Sequence, residues 1–205
     1  MTEPEGGLDE RQARIVAAAM ALFMERGYAG TSTLAIATRA RVSKRDLYAA
    51  FADKRAILAA CIRGRSREFA APPDLPAPTD RAGLSALLLA YGRGLRQGLA
   101  DPEVIAAYRL AVQEAGESIE VARTLHEEGR EAATVAITAL LAASRARGLL
   151  GPEAPATVAG VYLSLLVGDM VLQHLLGMAP PETPAESEAH ARLATETVLR
   201  LYGAG

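Results

Sequence analysis

Apolar and polar positions follow a helical period from the start of the chain. Asp9 precedes a segment whose apolar residues fall at Ile15, Ala18, Ala19, Leu22 and Phe23, one face of a helix, and Gly27 supplies its stop. Thr31, Ser32 and Thr33 form a cluster of N-cap hydroxyls ahead of a short helix, Leu34 to Ala40. After Arg41 and Val42, Ser43 caps another short helix running to about Phe51. In it Leu47 and Phe51 share a face at i, i+4, so that Lys44, Arg45, Tyr48 and Ala49 face away. Two short helices joined by a tight turn, the second presenting cations outward, have helix-turn-helix geometry. Asp53 caps a fourth helix from Lys54 to about Ala70, and Pro72, Pro73, Pro76 and Pro78 mark a linker.

Beyond the linker the pattern stays helical: Asp80 to Leu99, Pro102 to Ala115, Ser118 to His126, Glu127 to Arg147, Pro155 to Leu176 and Pro184 to Tyr202. No strand with a period of two and no internal repeat is visible. The expected fold class is all-α, about nine helices in all. An N-terminal three-helix helix-turn-helix domain spans 9–69, with the motif itself at 32–51, and a larger helical domain spans 70–205.

Composition agrees with this pattern. Half of the 205 residues are hydrophobic but only 4% are aromatic, and Ala supplies 43 positions, a bias toward small helix formers. A single cysteine, Cys61, excludes an intramolecular disulfide framework and a multi-thiolate zinc site, and a reducing, cytoplasmic location is the expectation. Met1 to Gly7 does not read as a targeting segment, and the apolar stretch Ala154 to Gly168 ends at Asp169, short of a membrane span, so no membrane partner is expected. The net charge of -2 hides an asymmetry. Residues 1–70 carry 12 basic and 8 acidic side chains, whereas 71–205 carry 10 and 16. Nine bases and two acids between Arg39 and Arg67, including both lysines of the chain, suit an anionic partner as well as a solvated face.

The segment RIVAAAMALFMERGYAGTSTLAIATRARVSKRDLYAAFADKRAIL, Arg14 to Leu58, resembles the DNA-binding domain of TetR-family transcriptional regulators. The carrying features are Ala18-Ala19, Leu22-Phe23, Gly27-Tyr28, Thr31-Ser32, Ile36-Ala37, Val42-Ser43-Lys44, Leu47-Tyr48, Phe51 and Lys54. The resemblance implies that 34–40 supports a recognition helix at 43–51 lying in the major groove of double-stranded DNA. Lys44 and Arg45 would then donate to guanine or phosphate, Tyr48 would meet a phosphate or a thymine methyl, and Ser43 would present its hydroxyl and amide. Thr31, Ser32, Thr33 and Lys54 would meet the DNA backbone, setting register without reading sequence. Two positions depart from the family pattern. Arg41 stands where Gly is common, at a cost of about 1 kcal/mol if the turn is left-handed. Arg45 and Asp46 replace what are often Gly and Thr, and Asp46 would accept from a cytosine amine or orient Arg45, the second being favoured.

The same resemblance implies a homodimer on a palindromic operator, with recognition helices roughly 34 Å apart, paired through the last two helices. Val161, Leu165, Asp169, Leu172, Leu176, Leu193 and Val198 are the expected interface, the alternative being that the helix at 155–176 is buried within a monomer. It also implies a small, largely apolar effector, for which Tyr91, Tyr108, His126, Tyr162, Met170 and His174 are candidate pocket residues; satisfied core polar groups are the plainer reading. Neither a cofactor nor a metal is expected. An all-α enzyme would need converging acids, bases or ligands, but His126, His174 and His190 are far apart in sequence and Cys61 has no identifiable base. A regulator answering to a partner protein, or to no effector, is the third reading.

Overall fold

A computed structural model describes residues 8–69, 77–116, 119–180 and 182–204, with only the backbone of 65–69. Pro72, Pro73 and Pro76 of the expected linker, Ser118 at an expected helix start and Pro181 lie outside the described residues. The described residues contain no strand. The helices are α1 (Glu10–Arg26), α2 (Thr33–Ala40), α3 (Lys44–Ala50), α4 (Lys54–Phe69), α5 (Arg81–Leu99), α6 (Pro102–Glu114), α7 (Glu120–Leu125), α8 (Ala132–Ala146), α9 (Pro155–Val167), α10 (Met170–Leu175) and α11 (Pro184–Tyr202). A π-helical stretch, His126–Glu131, runs without a break between α7 and α8, and α9 and α10 are parted only at Gly168 and Asp169, which leaves nine helical runs among the described residues.

The chain forms two compact units. The first combines residues up to Gly64 with Ala106–Glu128; the second comprises Arg65–Ile105 and Gly129–Gly205. This grouping differs from a division at residue 70. Leu110 and Ala111 of α6 and Val121 and Leu125 of α7 join the core built by Ile15, Leu22, Phe23, Ile36, Leu47 and Phe51. Their burial outweighs chain order.

Local chemistry explains the first unit. Asp9 and Gln12 form a capping box, the Gln12 amide donating to Asp9 Oδ1 at 2.8 Å and the Asp9 amide to Gln12 Oε1 at 3.1 Å. Ser32 Oγ accepts from the Ala35 amide, which starts α2. Its end is a Schellman turn. Arg41 adopts φ 55°, ψ 45°, its amide reaching Thr38 O at 3.2 Å while the Val42 amide reaches Ala37 O at 3.0 Å. The left-handed strain is therefore carried by an arginine, at about 1 kcal/mol. Asp53 Oδ1 accepts from the Ala56 amide at the head of α4.

In the second unit, Leu84 and Leu88 of α5, Ile137 and Leu141 of α8, Tyr162 and Leu166 of α9, and Val198 of α11 make one core. Gly92 lets α5 approach closely, because a Cβ there would collide with the Tyr162 hydroxyl. An isolated antiparallel bridge pairs Leu150 with Gly203, and Arg81 donates to Leu199 O and Ala204 O, so the end of α11 is tied to its own unit. The run Pro155–Leu175 is long and apolar enough to cross a bilayer, by length and composition alone, despite Asp169. In the fold it is a surface helix with Val158, Tyr162 and Leu166 turned inward.

One ion pair is buried in this unit. Arg96, 4% exposed, donates through Nε to both oxygens of Glu182 at 3.1 and 3.0 Å, and through its other nitrogens to Glu182 and to Leu166 O. Ser187 Oγ donates to Glu182 Oε2 at 2.8 Å, and His190 Nδ1 lies 3.4 Å from Oε1. Burial alone would raise the Glu182 pKa, but hydrogen bonds from Arg96 and Ser187, with the charges of Arg96 and His190, hold the carboxyl below its ordinary range. Its contribution to stability is accordingly complete above the unfolded value of about 4.3 and is lost as pH falls through the lower folded value. Arg96→Met should destabilise the protein by about 3–5 kcal/mol at pH 7, by urea unfolding, because it strands a buried carboxylate. The deficit should shrink toward pH 4, where that carboxylate takes up a proton; a deficit that stays constant with pH would contradict this account.

Candidate nucleic-acid interface

The outward face of the helix-turn-helix begins at α3. Ser43 is its N-cap, Oγ accepting from the Asp46 amide at 3.0 Å and donating to Asp46 Oδ2 at 2.6 Å. Asp46 Oδ1 meets Arg11 Nη1 of α1 at 3.4 Å. The Ser43 hydroxyl, aided by the Arg11 charge, holds the Asp46 carboxyl below the usual aspartate range. Both carboxylate oxygens are thus engaged by Ser43 and Arg11, while Arg45 acts on the carboxylate only through its charge. Arg11 was not foreseen, since its partner lies 35 residues away in sequence.

Lys44 and Arg45 are exposed and make no hydrogen bond or ion pair among the described residues. Lys44 Nζ stands 5.8 Å from the Tyr48 ring centroid, too exposed to contribute more than about 0.5–1 kcal/mol. The Tyr48 hydroxyl is 3.0 Å from Thr33 Oγ1, which joins the head of α2 to the middle of α3. Leu47, opposite, is fully buried. Leu34 is 60% exposed beside this pair, an apolar group on the same motif that the periodicity did not single out.

Two residues expected at the DNA backbone, Thr31 and Lys54, make internal hydrogen bonds. Thr31 is 2% exposed and its hydroxyl donates to Leu22 O at 3.1 Å and Gly27 O at 2.8 Å, so it closes the α1–α2 loop. Lys54 Nζ donates to Tyr28 O at 2.7 Å and Thr31 O at 3.0 Å and sits 4.1 Å from the Tyr28 ring centroid. Desolvation lowers the Lys54 pKa against the opposing pull of Glu120 and Glu114. Two donors of this ammonium are thus engaged by the loop. Three other bases of the cluster are paired: Arg39 with Glu25, Arg55 with Glu127 and Arg63 with Glu128, at 2.6, 2.7 and 2.6 Å.

The candidate effector residues are divided between the two units. Tyr108 packs on the core of the first unit and His126 lies exposed in the same unit. In the second, Tyr91 and Tyr162 are neighbours with ring centroids 6.4 Å apart, but the Tyr91 hydroxyl donates to Ala133 O and that of Tyr162 to Leu88 O. Burial pushes the Tyr91 hydroxyl up to about 12 and raises that of Tyr162 further. Both are core residues with satisfied hydroxyls. Met170 is buried, and its carbonyl lies 2.8 Å from His174 Nδ1. Two open surface concavities, lined by Asp9, Glu10, Arg11 and Arg14 and by Arg81, Ala82, Ser85, Glu196 and Leu199, include none of these six.

Of the expected dimer residues, Leu165, Leu172, Leu176 and Leu193 are exposed, as is Asp169, whose Oδ2 accepts from Gln173. Val161 is half-buried against the core. Val198 is a correction: it is fully buried in its own unit, because α11 turns that face toward α5 and α9. Met178 and Leu201 are further exposed apolar side chains of this unit. The reassignment of Lys54 has a measurable consequence. Lys54→Met should cost about 1–3 kcal/mol in urea unfolding, while the salt slope of duplex-DNA binding stays unchanged; a slope shallower by about one would restore a phosphate contact.

Comparison with known proteins bears on both units. A family model described as the C-terminal domain of AefR-like transcriptional repressors matches residues 86–204, and one described as bacterial regulatory proteins, tetR family, matches 15–61. Among solved structures, the flavonoid-responsive regulator FrrA is 30% identical with a TM-score of 0.74, over 94% of this chain and 97% of that one. A TetR transcriptional regulator from Agrobacterium tumefaciens is 27% identical with a TM-score of 0.77, over 96% of each chain. A TetR-family regulator from Mesorhizobium loti MAFF303099 is 26% identical with a TM-score of 0.71, over 94% of this chain and 96% of that one. No curated protein matches. With a repressor-domain match over more than half its length and a helix-turn-helix match at its N-terminus, the chain belongs to the TetR family of bacterial transcriptional regulators.

Proposed function

We propose that the protein is a homodimeric repressor that binds a palindromic operator through α2 and α3 of each subunit and is released by a small, largely apolar effector. The observation that carries the DNA-binding part is the state of the cations. Arg39, Lys54, Arg55 and Arg63 are engaged inside the protein, whereas Lys44 and Arg45 project from the first turn of a capped helix beside Tyr48 and Ser43. Those side chains can donate to base edges or phosphates, and the head of a helix favours anions. Ser32 and Thr33, at the start of α2, supply further donors for the backbone.

Dimerisation is supported by the exposed leucines of α9, α10 and α11, whose burial against a second copy would remove an apolar surface that a monomer leaves in water. Effector control is supported by the name of the similar regulator FrrA, which responds to flavonoids, and repression by the description of the matching C-terminal domain. A second reading, control by a protein partner, is favoured by an exposed apolar face of α8 outside those helices, Val135 at 63% with Ala132, Ala136, Ala139 and Ala142. Mass spectrometry of small molecules carried through purification, followed by addition of each to the DNA complex, separates the two.

Selection from a random duplex pool should enrich a palindrome bound in fluorescence anisotropy. Lys44→Ala with Tyr48→Ala should weaken that binding by at least about tenfold; unchanged affinity would remove α3 from the interface. In sedimentation equilibrium the protein should be a dimer at micromolar concentration and Leu172→Arg a monomer. A monomeric wild type would dispose of the pairing surface.

A further inference from the structure

The loop between α1 and α2 is held by a residue distant in sequence. Glu114, the last residue of α6, lies in the same compact unit, and its Oε1 accepts from the Tyr28 amide at 2.8 Å and the Ala29 amide at 3.3 Å, with Oε2 also 3.3 Å from the latter. Two adjacent backbone donors thus converge on one carboxylate, an arrangement stronger than neutral hydrogen bonds. Gly27 permits the approach. Its φ of 75° suits glycine, and a Cβ there would stand 2.8 Å from Glu114 Oε1.

The opposite side of the loop is held by Lys54 on the carbonyls of Tyr28 and Thr31, while the Tyr28 hydroxyl hydrogen-bonds Glu120. Donors and acceptors of 28–31 are therefore anchored by α4, α6 and α7 at once. The next residue is Ser32, the N-cap of α2, and the one after is Thr33, whose hydroxyl meets Tyr48 on α3. Two residues thus connect the anchored loop to the helix-turn-helix pair.

We propose that Glu114 is a positioning residue for DNA recognition: by binding the Tyr28 and Ala29 amides it sets where α2 begins and, through Thr33 and Tyr48, how α3 is presented. The inference rests on the DNA-binding reading above. Glu114 makes no contact with DNA in this account. Its effect falls on specific binding, which needs a fixed recognition helix, while non-specific attraction to phosphates depends only on the cations.

The test uses the full chain, the selected palindromic duplex and a scrambled duplex of the same length, with anisotropy at low temperature and circular dichroism to check that each variant is folded. Glu114→Ala should weaken binding to the palindrome by about tenfold and leave binding to the scrambled duplex within twofold. Glu114→Gln, which keeps an acceptor oxygen without the charge, should fall between the two. Amide hydrogen exchange at Tyr28 and Ala29 should quicken in the same order. If Glu114→Ala loses native helicity, Glu114→Gln carries the test alone. Palindrome binding within twofold of wild type in the folded variants, or an equal loss on both duplexes, would overturn the positioning role. A wild-type chain that prefers no duplex overturns the DNA-binding reading as well, so the two failures are distinguishable.

Discussion

Helices of eight and seven residues are too short to hold their shape alone in water, since nucleation is costly and few hydrogen bonds repay it. The pair α2–α3 exists only because Ile36, Ala37, Ala40 and Leu47 are pressed into a core shared with α1 and with 106–128. Everything on the outer face depends on that burial. A fully buried Ile or Leu supplies about 1.5–3 kcal/mol, enough to absorb the strain at Arg41 and to leave Lys44 and Arg45 unused by the fold. Caps at Ser32 and Ser43 settle where each helix starts, and thus which side chains face outward.

Charge is distributed by the same logic. The basic stretch between Arg39 and Arg67 suits an anionic partner as well as a solvated face, and carboxylates from α1 and the π-helical stretch pair with three of its arginines. The pairs of Arg39, Arg55 and Arg63 are exposed, each worth at most about 1 kcal/mol. Their consequence is selective, because an arginine held by a carboxylate adds less positive potential than a free one. Among the described residues of the stretch, Lys44 and Arg45 on the first turn of α3, and Arg41 just ahead of it, carry no ion pair. Asp46 escapes the repulsion expected of an anion in that place by binding Ser43 and Arg11.

The second unit solves a different problem. Small residues, Gly92 above all, let α5, α9 and α11 pack so closely that the Tyr162 hydroxyl must bond a helix carbonyl. One buried ion pair, Arg96 with Glu182, is tolerated because Leu166 O and Ser187 satisfy the remaining donors and acceptors. The positive φ of Gly168 breaks the apolar run between α9 and α10, and leucines on both sides of the break stay exposed.

From sequence alone, the all-helical class, the boundaries of α1 to α5 within a residue or two, the caps at Ser43 and Asp53, the hydroxyl cluster from which Ser32 caps α2, and the outward face of α3 were legible, because each depends on neighbours within four residues. Tertiary structure decided the rest. That Lys54 and Thr31 serve the α1–α2 loop, that Asp46 answers to Arg11, that Val198 is core, and that 106–128 belongs with the helix-turn-helix are matters of contacts across 9 to 86 residues. Periodicity tells which face of a helix is apolar, but not which partner covers it. A cation free for a ligand and one already spent on a carbonyl have the same letter in the sequence.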